Sequence, residues 1–82
     1  MNPAVARRRK RREKVTAMTL YLLDQQNAWR FADLHRLVQA STRSRLSRSG
    51  LGIIMRPYFL DGTLIRERIS DHGVEVHVWR KP

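Results

Sequence analysis

Residues 41–52, "STRSRLSRSGLG", set Arg43, Arg45 and Arg48 among Ser44, Ser47 and Ser49. A guanidinium presents its donors as a rigid fork that matches a phosphate or the edge of a guanine. A serine hydroxyl can cap a helix or donate to a phosphate oxygen. The same side chains taken alone also suit a solvated linker. Their neighbours weigh against the linker: "DLHRLV" precedes them and "GIIMRPYFL" follows, both with apolar residues at helical spacing. Between two helices the stretch reads as a turn and then the leading edge of the following helix.

Other cations could serve the same chemistry. Arg56 lies further along the following helix, and Arg66 and Arg68 stand on the polar positions of an alternating run. Arg7, Arg8, Arg9, Lys10, Arg11 and Arg12 form an unbroken block near the N-terminus. Residues 7–14 hold seven cations and one acid, and the rest of the chain ten cations and six acids, which accounts for the net charge of +10 over 82 residues. A balance so positive points to nucleic acid, an anionic membrane or an acidic protein, and nucleic acid is the commonest partner of a small basic domain.

Several classes of chemistry find no support. The chain has no cysteine, so it offers neither disulfide nor cysteine-based zinc site. His35, His72 and His77 have no carboxylate at ligand-like spacing, so no metal or other cofactor is expected. No Ser-His-Asp order and no glycine-rich phosphate loop after a strand appears, and no enzyme activity is expected. No apolar run approaches the roughly 20 residues that span a bilayer, and "VTAMTLYLL" leads into "DQQN" without a cleavage site. A cytoplasmic, nucleoid-associated protein is expected, or a nuclear one in a eukaryotic cell.

The elements that must position these cations follow from periodicity. Residues 1–12 lack a core pattern, and six like charges in a row repel one another, so an open, disordered arm is expected. From Glu13 to about Gln26, Val15, Met18 and Leu22 mark a first helix. Trp29 and Phe31 alternate in "NAWRF" and suggest a short extended segment. Residues 32–40 return to helical spacing, with Asp33 in the first turn where a negative charge suits the dipole. A third helix is expected to start between Ser44 and Ser49, to end or kink near Met55–Arg56 because of Pro57, and to add one turn to Leu60. Residues 63–69 and 74–80 read as a β-hairpin joined by the four residues "SDHG". That register pairs Ile69 with Val74 and Ile65 with Val78, and sets Arg68 opposite Glu75. The three helices would then cover the Val/Ile face of the sheet, an α+β fold spanning 13–82.

This order resembles the winged helix-turn-helix family of DNA-binding regulators. The residues that carry it are "LYLLDQQNAWRFADLHRLV", "SRSGLGIIMRPYFLDGTLIRERI" and the hairpin "SDHGVEVHVWR", with a tone like that of small bacterial, plasmid or phage transcriptional regulators. The resemblance implies that the third helix enters the major groove of duplex DNA with its N-terminal half leading, that the second braces it, and that the hairpin is the wing. Arg45 and Arg48 would then reach into the groove and Arg56 the flanking backbone, with the arm and the wing arginines on phosphates. A homodimer would extend the site, built on the first helix or the wing strand edge. The glycines at 50 and 52 are poor helix formers, and the wing tip lacks an arginine or lysine. Two other readings fit the same composition: a basic RNA-binding or ribosome-associated protein, and a protein-interaction module presenting Tyr58 and Phe59.

Overall fold

Asn2 starts the first helix: its side chain accepts from the Ala4 N–H, and Pro3 stands where its missing N–H costs nothing. The computed structural model describes residues 2–82, and in it α1 runs unbroken from Pro3 to Gln25. Residues 3–12, expected to form an open arm, are therefore the first turns of α1. Arginine and lysine are good helix formers once a cap has nucleated the helix. The Arg11 guanidinium also donates to the Arg45 carbonyl, which ties this part of α1 to the turn before the third helix.

The remaining elements are β1 (Ala28–Arg30), α2 (Phe31–Thr42), α3 (Arg48–Leu60), β2 (Ile65–Asp71) and β3 (Val74–Arg80). α2 is longer than its apolar spacing suggests, and Ser41 and Thr42 belong to it. It closes on Arg43, whose φ of 51° is left-handed and stops the helix. Pro57 does not end α3. The hydrogen bond it forfeits is to the Ile53 carbonyl, on the solvent side, and the Asp61 N–H bonds the Pro57 carbonyl at 3.0 Å.

The strands form one antiparallel sheet in the order β1-β3-β2. The hairpin turn is two residues, His72 and Gly73, with φ of 52° and 79°. Two successive positive φ values give the hairpin turn whose twist matches the strands. A two-residue turn slides the register by two from the four-residue expectation: Ile69 pairs with Val76, Ile65 with Arg80 and Arg66 with Trp79. The Arg68–Glu75 ion pair forms nonetheless, diagonally, at 3.4 Å.

A slide of two leaves the sharing of faces intact, but the face turned to the helices is the opposite of the one expected. Leu64, Trp79 and Trp29 point toward α1, α2 and α3, and the Val/Ile face points away. Trp79 is 3% exposed, stacked on Phe31 at 4.6 Å and edge-on to Phe59 at 4.7 Å. Ile69 and Val74 are exposed. Val78 alone of the outer face is buried, because it lies on the central strand between Arg30 and Glu67. Around Trp79 the core gathers Val15 and Leu23 of α1, Leu34 and Val38 of α2, and Leu51 and Met55 of α3. The result is a winged-helix layout, with three helices on one side of a three-stranded sheet and a C-terminal hairpin.

Two ion pairs fasten the sheet's outer face. The Arg80 guanidinium donates to Glu67 Oε1 through Nε at 2.9 Å and Nη2 at 2.7 Å, and Arg30 pairs with Asp71. The hydrogen bond from Arg80 holds the Glu67 carboxyl below the usual glutamate range. Its contribution to stability is therefore present above the ordinary glutamate pKa and is lost as pH falls through the depressed value. Thermal midpoints across an acid pH series should show wild type above Glu67→Gln near neutrality, with the gap closing as Glu67 takes up its proton.

Candidate nucleic-acid interface

The serine- and arginine-rich stretch is held at almost every residue. The Ser44 N–H bonds the Gln39 carbonyl at 3.3 Å, and the Ser44 hydroxyl donates to the Thr42 carbonyl at 3.2 Å. Leu46, the one apolar side chain between Thr42 and Gly50, is 5% exposed and belongs to the core. Its N–H donates to Gln39 Oε1 at 3.2 Å, and its carbonyl accepts from His35 Nε2. Ser47 caps α3, its hydroxyl accepting from the Gly50 N–H at 2.9 Å. The segment is a pinned turn that fixes where α3 begins.

A Cβ added at Gly50 would meet the Ser47 Oγ at 2.9 Å, so this glycine lets the cap close. Gly52 differs, because nothing lies within 4 Å of a Cβ built there. It faces outward on α3 with Arg48, Ser49, Ile53 and Arg56. Ser49, Gly52, Ile53 and Arg56 fall at i, i+3, i+4 and i+7, one helical face, and Ile53 at its centre is 68% exposed.

Cations flank this face on both sides. On one side, Arg8, Arg11 and Arg12 of α1 meet Arg45 around a hollow of about 460 Å³ floored by Leu46, Gly50 and Ile54. On the other, a cleft of about 470 Å³ between α3 and the hairpin is lined by Arg48, Arg56, Arg66 and His77 over Phe31 and Trp79. The Arg66 guanidinium sits 4.2 Å from the Phe59 ring centroid, which holds it in the cleft. Ile53 borders both hollows, and neither is lined by an acidic residue.

The expected residues thus divide. Arg45, Arg48, Ser49, Arg56, Arg66, Arg8, Arg11 and Arg12 come together around α3. Arg43 does not: it ends α2 and borders a different hollow with Lys14, Met18 and Tyr21 of α1. Ser44 and Ser47 are engaged by the backbone rather than presented. Arg68 lies further toward the hairpin tip, paired with Glu75. Arg7, Arg9 and Lys10 line neither hollow. Tyr58 and Phe59 pack against the core rather than forming a surface patch, and Trp79 is too buried to stack on a base.

The sequence reading missed Gly52, Ile53 and His77 as members of this surface. Ile53 belongs to an apolar block in the sequence, and only its spacing of four from Ser49 and three from Arg56 hints at its exposure. Among the described residues no group of three or more His, Asp or Glu gathers as a metal site, and no helix is long and apolar enough to cross a membrane. No protein-family profile and no curated protein matches this chain.

Proposed function

We propose that this protein binds duplex DNA through α3 and acts as a small transcriptional regulator. The observation that carries the reading is the exposed face of α3 with arginines, and no acid, in the hollows on both its flanks. A major groove is walled by two phosphate backbones about 12 Å apart, so a helix that enters it needs cations on both sides. In this reading Arg8, Arg12 and Arg45 face one backbone, Arg66 faces the other, and Arg48, Ser49 and Arg56 reach toward base edges. Phosphate contacts would position the protein and α3 would read the sequence.

Fluorescence anisotropy titration of a labelled duplex over a salt series tests this. Binding that weakens steeply as salt rises is expected, and no duplex binding at low salt overturns the proposal. Structured RNA enters as competitor, and its preference over duplex DNA would replace this reading with RNA binding.

Gly52 supplies a sharper check. Alanine there fits the open space and should stabilise α3 by about 0.5–1 kcal/mol, since glycine is the weaker helix former. If the α3 backbone comes close to the groove floor at this point, the same Gly52→Ala change weakens duplex binding. Thermal unfolding and anisotropy on one preparation should therefore move in opposite directions.

A further inference from the structure

The sheet's outer face is uncovered by any helix, and it is the more apolar of the two. By the register it carries Ala28, Ile65, Ile69, Val74, Val76 and Val78, together with only four charged side chains. Those four are the pairs Arg30–Asp71 and Arg80–Glu67, so the face is neutral on a chain of net charge +10. The solvent face of an antiparallel sheet is ordinarily the polar one. Here Val74 is 63% and Ile69 44% exposed, both near the hairpin tip. The tip itself carries Asp71 and His72 and no lysine or arginine, which suits it poorly to phosphate.

We propose that this face docks a second copy of the same chain, sheet against sheet across a two-fold axis. Charge selects that occupant. An acidic partner would be drawn to the arginines around α3, and two +10 molecules repel wherever their cationic faces meet. Across this face equal numbers of cations and acids oppose one another, already paired within each copy. Edge-to-edge pairing through β2 is disfavoured, because Arg66, Glu67 and Arg68 occupy that free edge. Three strands about 4.8 Å apart and at most seven residues long present roughly 300 Å² in plane, well below the ~800 Å² per partner of a standard interface. The dimer is therefore weak and concentration-dependent.

Sedimentation velocity of the full chain up to about 1 mM, a concentration that reveals association as weak as ~4 kcal/mol, is the test. A reversible monomer–dimer equilibrium that tightens as salt rises is expected, because salt screens the repulsion between copies. Duplex binding weakens with salt, so the two proposals stand or fall separately. Val74→Lys and Ile69→Lys should each lower dimer affinity about tenfold or more, roughly the loss of one buried aliphatic contact and its replacement by like charge. Val74→Thr keeps the β-branched shape and should have a smaller effect, and unchanged circular dichroism shows that the fold is retained. A monomer at every concentration in high salt, a dimer that salt dissociates, or a dimer indifferent to both lysine substitutions overturns the proposal.

Discussion

Trp79→Ala is expected to remove a large share of the fold's stability at 25 °C. Trp79 sits at the meeting point of all three helices and the sheet, stacked on Phe31 and met edge-on by Phe59. Truncating so large a buried aromatic costs about 3–5 kcal/mol through lost transfer energy and the cavity left behind. A chain of 82 residues has a total stability of only ~4–12 kcal/mol at typical values per residue, so the loss consumes much of it. The informative comparison is with Val76→Ala, on the same strand and the opposite face. If the helices covered the Val/Ile face, Val76 would be the costly position and Trp79 the tolerant one. Urea unfolding of both variants decides: a collapse for Trp79→Ala and a small shift of midpoint for Val76→Ala is the expected result. The reverse order would show the sheet to be turned over.

Neutralising the α1 side of the interface should give the largest effect on binding. Arg8, Arg12 and Arg45 face one hollow from two separate elements. If each meets a phosphate, the triple alanine variant loses up to about 2.7 units of the slope of log K against log salt, at ~0.9 per phosphate. With about 1 kcal/mol for each exposed, charge-assisted contact, affinity at low salt falls on the order of 100-fold. Arg11 is left in place because its guanidinium holds the Arg45 carbonyl, and losing it would loosen the turn as well. The control is Arg7→Ala with Lys10→Ala, which removes two cations that line neither hollow. A flexible arm would make all six cations of residues 7–12 nearly equivalent. A helix makes them unequal by face, so the control should lose much less affinity per charge than Arg8, Arg12 and Arg45. Equal losses per charge in the salt-series titration would return residues 3–12 to the status of an arm.

Other features rest on short-range rules and were open to reading from the chain. Ser47 as a cap, the start of α3 within Ser44–Ser49, the short extended segment around Trp29 and the hairpin all depend on neighbours in sequence. So does the α+β class, because three apolar helical faces and one alternating hairpin have few ways to bury one another. The Arg68–Glu75 pair survived a register error because an ion pair of long side chains reaches a diagonal neighbour as readily as the opposite one.

Three points were settled only in three dimensions. A β-strand's alternation shows which residues share a face but is silent on which face is inward, since both parities obey the same period of two. Val74, Val76 and Val78 look like a core stripe, yet one tryptophan on the other face buries more area than any of them, and the helices follow it. The turn length was likewise hidden, because a histidine at φ 52° is an uncommon partner for Gly73 in a two-residue turn. Finally, the charge block at 7–12 fixed that these residues would be basic, and nothing local could fix where they point. That followed from α1 continuing from its Asn2 cap into a helix whose other end is buried: Val15, Thr19 and Leu23 face the core, and 3.6 residues per turn then carry Arg8, Arg11 and Arg12 to the flank of α3.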